Sequence, residues 1–230
     1  MKQFEGWTIG FDADDTLWHN ERFFQLTQAR FADLLRDHAD ADHLSDRLLA
    51  AERRNLGHYG YGIKGFVLSM IETAIEVTEE RVPASVISEL IAAGQEMLAH
   101  PIELLPGVEE TIVSLKGSAG LILVTKGDLL DQERKLAQSG LGDHFDRVEI
   151  VSEKTAPTYA RIFQGRDRAV MVGNSLRSDI IPAIEAGAHG IHIPHDLTWE
   201  MEKADAPSGH PRFHRIETMT ALPELLDKIA

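Results

Sequence analysis

The 230-residue sequence predicts an α/β fold: a Rossmann-like three-layer core around a parallel sheet, with an α-helical cap domain inserted into it. Short β-prone apolar runs recur with helix-length segments between them, as βαβ units require. The gap between the first and second runs is far longer than one crossover helix, and most of it reads as helix. Polar residues capable of chemistry collect where the runs end, which is where open α/β sheets bind ligands.

In chain order, Trp7 to Phe11 is the first predicted strand. The insertion follows, and its clearest helix carries Phe66, Val67, Met70, Ile71, Ala74 and Ile75 on one face. Leu44 with Leu48, and Ile87, Leu90, Ile91 and Leu98, make weaker stripes, all read as helix packing. Between the first two helical stretches, Gly57 to Gly62 with Lys64 reads as a glycine-rich loop. Pro101 and Pro106 mark the return to the main domain. The expected domains are therefore 1–18 with 104–230 for the core and 19–103 for the cap. Val108 to Leu115 is a crossover helix, Leu121 to Thr125 a strand and Leu129 to Ser139 a helix. Further strands are Arg147 to Val151, Ala169 to Val172 and Gly190 to Ile193, with an edge strand at Phe213 to Ile216 and a last helix near Leu222 to Ile229. The connection from Pro194 to about Arg212 is long and rich in charge, Pro and His, which marks a functional or a disordered loop.

Composition removes several chemistries. With no cysteine there is no disulfide, thiolate metal site or cysteine nucleophile. The balance of 37 acidic and 23 basic residues, net −14, opposes nucleic-acid polymers and anionic membranes, so a phosphorylated substrate needs a local positive site. No apolar run approaches the length of a signal peptide core or a membrane span, and the expected setting is cytoplasmic.

The first strand leads into Asp12, Asp14, Asp15 and Thr16. Thr125, Lys126 and Gly127 end the second, Lys154 follows the third, and Gly173, Asn174 and Ser175 end the fourth, with Asp179 five residues after Asn174. If the strands are parallel neighbours, these termini meet on one rim. In order and spacing they resemble the haloacid dehalogenase superfamily, phosphatase type: a DxDxT motif, a strand-terminal Thr, a Lys, and a motif similar to GDSxxSD. The helical insertion resembles the small cap of one branch of that superfamily. Asn174 departs from the pattern, standing where an Asp usually binds the metal.

The resemblance implies a magnesium-dependent phosphatase acting on a small-molecule phosphate ester. Phosphoryl transfer depends on positioning and positive charge. Asp12 can attack phosphorus to give an aspartyl phosphate. Asp14 can protonate the leaving oxygen and then activate water. Thr125 and the amides after it, including those of Lys126 and Gly127, can bind phosphate oxygens, and Lys154 can neutralise the phosphate and hold Asp12. Asp12, the carbonyl of Asp14, and Asn174 with Asp179 are the expected magnesium ligands, since Mg2+ keeps several waters and needs few protein groups. His19, Tyr59, Tyr61 and Lys64 are the expected contacts to the organic part of the substrate, on a cap that closes over the phosphate. A 2-haloacid dehalogenase, a phosphomutase and a non-catalytic binding protein are the competing readings. The first lacks an acid equivalent to Asp14, the second must exclude water, and the third is disfavoured by the full set of reacting groups.

Overall fold

The computed structural model describes residues 4–164 and 168–229, which form two compact units. The first comprises residues 4–21, 102–126, 132–164 and 168–229. Its strands are β1 (Thr8–Phe11), β2 (Gly120–Lys126), β3 (Arg147–Val151), β4 (Ala169–Gly173), β5 (His189–His192) and β6 (Phe213–Arg215). Among the described residues they make one parallel sheet in the order β3-β2-β1-β4-β5-β6. The order reverses about β1, so the carboxyl ends of β1 and β4 flank a topological switch point, where ligands bind in doubly wound sheets.

The period-2 alternation of the strands makes both faces apolar. Ile9, Phe11, Leu121, Leu123, Val170, Val172 and Ile191 pack with α5 (Val108–Leu115) and α9 (Leu222–Ile229). On the opposite face Ile122, Val124, Ala169 and Met171 pack with α7 (Ala156–Phe163) and α8 (Ile181–Glu185). These are the three expected layers. The helix α6 (Leu129–Ser139) follows β2.

The second unit comprises residues 22–101 with 127–131. Its helices are α1 (Glu21–Leu34), α2 (Ala41–Tyr59), α3 (Ile63–Val77) and α4 (Ala84–Ala99). They bury their own core of Phe31, Leu35, Leu44, Leu48, Ile63, Phe66, Met70, Ala74, Leu90 and Met97. On α4 the buried face is Leu90, Ala93, Gly94 and Met97, with Ile91 45% exposed, so the stripe expected there is rotated. Gly94 is the reason. A Cβ at this position would lie 2.4 Å from Val67 Cγ2, so the small residues Ala93 and Gly94, rather than the larger aliphatics, let α3 and α4 meet.

Two expectations are corrected in detail. The glycine-rich loop is shorter than predicted, because α2 runs through Gly57 and His58 to Tyr59 and α3 starts at Ile63, leaving Gly60, Tyr61 and Gly62 as the link. Polar ties between these helices, Asn55 to Ser69 and Glu72 and Tyr59 Oη to Glu72, hold the end of α2 in place. The unit boundaries also differ from 19 and 103 by a few residues. His19 N donates to Glu103 O, and Asn20 N and Glu21 N donate to Asp15, which keeps 19–21 with the core. Among the described residues no helix is long and apolar enough to cross a membrane.

Candidate active site

At the end of β1 the chain turns sharply. Asp12 N still donates to Val172 O across the sheet, but Asp15 adopts φ +60°, a left-handed conformation that Asp tolerates better than most residues. The turn brings Thr16 back over Asp12. Thr16 Oγ1 lies 3.0 Å from Asp12 Oδ2 and 3.3 Å from Asn174 Oδ1, and it accepts from Asn174 N at 3.0 Å. Asp12 and Asn174 therefore converge on one hydroxyl, from the two strands that flank the switch point.

Lys154, buried after β3, donates to Asp12 Oδ1 and, at 2.7 Å, to Asp179 Oδ1. Asp179 is buried too, and its Oδ2 accepts from Ser175 N at 2.9 Å. Gly173 permits this closeness: a Cβ there would lie 2.3 Å from Asp179 Oδ2. Burial alone would lower the Lys154 ammonium, but Asp12 and Asp179 outweigh it and hold the group well above the usual lysine range. Burial first, and then Asp179, push the Asp12 carboxyl up against the pull of Lys154. Two buried carboxylates thus share one ammonium.

Asp14 points to a different set of partners. Its Oδ1 accepts from Trp18 Nε1 at 2.7 Å and Lys135 Nζ at 2.9 Å; its Oδ2 accepts from Gln132 Nε2 at 2.8 Å and Lys135 Nζ at 3.1 Å. Burial works against the charge, but Lys135, Gln132 and Trp18 prevail and hold the carboxyl below the usual carboxylate range. The resting Asp14 is a carboxylate in an ion pair, with its affinity for a proton lowered. To donate one it must first take up a proton and give up Lys135. Gln132 and Lys135 went unnoticed in the sequence. Their i, i+3 spacing puts both on one face of α6, but says nothing of which residue that face meets.

The remaining predicted residues are distributed as follows. Thr125 is buried at the end of β2, paired with Ile150. Lys126 Nζ donates to Glu202 Oε1 and to Ser178 Oγ, so the side chain is already engaged. Gly127 begins the 127–131 segment, which groups with the helical unit. The His19 ring meets that of His195 edge-on at 6.0 Å, and His195 Nε2 lies 3.7 Å from Asp15 Oδ1. In the helical unit Tyr59 Oη donates to Glu72, Lys64 Nζ donates to both oxygens of Asp128 at 3.0 Å, and Tyr61 sits half-buried in the link. The 194–212 connection does reach this region, through Glu202, which the sequence did not single out.

No group of three or more His, Asp or Glu among the described residues is arranged to hold a metal. The donor chemistry nevertheless fits magnesium. Asp12 Oδ2 and Asn174 Oδ1 compete for one hydroxyl proton, and two buried carboxyl groups, Asp12 and Asp179, face the single ammonium of Lys154. A hard cation with oxygen ligands, mostly water, answers both features.

The family model for a hydrolase, haloacid dehalogenase-like, matches residues 8–187. A haloacid dehalogenase-like family hydrolase from Xanthomonas campestris is 40% identical in sequence and superposes with a TM-score of 0.86, covering 97% of this chain and 92% of that one. The HAD-hydrolase YfnB from Bacillus subtilis, bound to magnesium, shares the fold at 19% identity and a TM-score of 0.64, covering 96% and 98% of the two chains. Pyrimidine 5'-nucleotidase YjjG from Escherichia coli is 32% identical over 94 residues, 36% of this chain, and the match spans only 41% of that protein's length.

Proposed function

Since the chain belongs to the haloacid dehalogenase-like hydrolases, we propose that it is a cytoplasmic, magnesium-dependent phosphatase that hydrolyses a small phosphate monoester through an aspartyl phosphate on Asp12. The observation that carries this reading is Asp12 itself, a buried carboxylate at the carboxyl end of the central strand, oriented by Lys154 and Thr16, with a second carboxylate at Asp14. A dehalogenase has no use for that second group.

In the first step a carboxylate oxygen of Asp12 bonds to phosphorus as the ester P–O bond breaks, and the departing oxygen takes a proton from Asp14, which has first taken one up from solvent and given up Lys135. In the second, water attacks phosphorus and releases Asp12, with its proton passing to Asp14. Lys154 offsets the charge of two anions meeting, and Thr125 with the amides after it binds phosphate oxygens. Asp12, the Asp14 carbonyl, Asn174 and Asp179 would hold magnesium, which when bound adds positive charge beside the phosphate. YfnB, of the same fold, binds that ion. Selectivity is assigned to the helical unit, with Tyr59, Tyr61 and Lys64, and to His19.

The test is hydrolysis of an aryl phosphate by the parent protein and by Asp12→Asn, with magnesium and with a chelator. Turnover that needs both Asp12 and magnesium is expected, with a loss of at least about a thousandfold in the variant. An inactive parent, or an active variant, would sink the reading.

A further inference from the structure

Glu202 lies on a short 3-10 turn, Glu200–Glu202, in the connection between β5 and β6, and its side chain is only 15% exposed. Oε1 accepts from Lys126 Nζ; Oε2 accepts from Ser175 Oγ and from Ser178 Oγ. Three donors on one carboxylate amount to a built cradle, of the kind that would bind a free anion if the chain did not supply its own. Burial opposes the charge, but Lys126 first, and then the two serines, hold the carboxyl below the usual range, so it is the anion that fills the cradle.

The cradle is part of the segment that carries two of the proposed metal ligands. Ser175 follows Asn174, and Ser178 precedes Asp179. Directly after Ser175 the chain makes a π-type turn, Leu176–Ile180, which contains Ser178 and Asp179 and is a rare conformation that recurs at functional sites. Ser178 N donates to Ser175 Oγ at 3.0 Å, Ser175 N donates to Asp179 Oδ2 at 2.9 Å, and Asp179 N donates to Ser175 O at 2.9 Å. Asp179 Oδ1 in turn accepts from Lys154, which donates to Asp12. A continuous set of directional bonds therefore runs from Glu202 through Ser175, Asp179 and Lys154 to Asp12.

We propose that Glu202 is a positioning residue for the reaction: it ties the β5–β6 connection to the Asn174–Asp179 turn and, through that turn, orients Lys154 on Asp12. This inference rests on the phosphatase reading for its kinetic consequence and on geometry alone for its structural one. Glu202 touches neither Asp12 nor Lys154, so its effect is on how well the nucleophile is aimed.

The experiment uses the full chain with Glu202→Gln, which keeps the shape but replaces one acceptor with a donor facing donors, and leaves the Lys126 ammonium without its counter-charge. Glu202→Asp, which keeps the charge but is one methylene shorter, is the second variant and decides the matter if the first does not fold. Aryl phosphate turnover with magnesium, thermal melting and amide hydrogen exchange are measured on both variants and on the parent. The expected result is a fall in kcat of about tenfold to a hundredfold with little change in KM, and faster exchange confined to the amides of Ser175 to Ile180. Unchanged kcat, or a rise in KM alone, in a variant that folds would overturn the proposal, and so would unaltered exchange in that turn. An inactive parent would be a failure of the phosphatase reading. The exchange result would then decide the tie: loosening confined to Ser175 to Ile180 supports it, and unaltered exchange removes it.

Discussion

Asp12 and Asp14 are two residues apart and carry the same functional group, yet their surroundings give them different work. Asp12 shares Lys154 with Asp179 and is pushed toward protonation by burial, a cost that a metal ion would remove. Asp14, held by Lys135, Gln132 and Trp18, stays a carboxylate. In the proposed reaction this ionised form is the one that takes the proton of the attacking water in the second step. Replacing Asp14 with Asn should therefore slow hydrolysis of the aspartyl phosphate by about a hundredfold or more. Stopped-flow measurement on an aryl phosphate, whose leaving group needs little protonation, should show a burst of phenol followed by a slow steady state. Uniformly slow release with no burst would assign Asp14 to the first step instead. Lys135→Met should lower kcat by about tenfold while leaving the melt within a few degrees, because it frees the Asp14 side chain from its aimed position. An unchanged kcat would make Lys135 a purely structural partner. The sequence exposed both aspartates because they sit directly after a strand. Lys135 and Gln132 come from a helix more than a hundred residues away in the chain, and nothing local to either motif announces the pairing.

The strand termini and the turns after them hold the site at the level of elements. Gly173 ends β4 because only a residue without a Cβ lets Asp179 fold back against the strand. Gly173→Ala should displace Asp179 from Lys154 and reduce kcat/KM by about a hundredfold, the scale of a misplacement near 1 Å. Kinetics set beside a melting curve would check it, and near-parent kcat/KM would show that the turn can shift without consequence. Asp15 serves a different end, accepting from the amides of Asn20 and Glu21 at the start of α1. Asp15→Ala loses those bonds and places alanine at a left-handed φ, with an expected loss of about 1–2 kcal/mol of stability in denaturant unfolding. Asp15→Asn keeps an acceptor and the tolerance for that φ, so it should lose clearly less; equal losses would contradict the capping role. The sequence showed three acidic residues in a row of five and could not separate the capping one from the others, because the distinction lies in which amides each side chain reaches.

Over the whole molecule the insertion has a hydrophobic core of its own, apart from the layers around the sheet. Under the proposed function this unit is the part assigned to choosing substrates. Tyr59→Ala, Tyr61→Ala and Lys64→Ala are expected to change the ranking of kcat/KM across a panel of phosphate monoesters, pyrimidine 5'-nucleotides included, by about tenfold, and to leave a small unselective ester nearly unaffected. A ranking unchanged in all three variants would confine these residues to the bonds already seen, Tyr59 with Glu72 and Lys64 with Asp128. Sequence alone determined the α/β class, the long helical insertion after the first strand and the order of the motifs along the chain, and it nominated Asp12, Asp14, Thr125, Lys154, Asn174 and Asp179 as candidates, because apolar periodicity and motifs at strand ends are local properties of the chain. Only the tertiary structure decided which face of α4 is buried, that Lys135 and Gln132 hold Asp14, and that Glu202 reaches back to Ser175, Ser178 and Lys126. Each of these depends on distances between segments far apart in the chain, and close packing and hydrogen-bond geometry, rather than residue type, settle which partners meet.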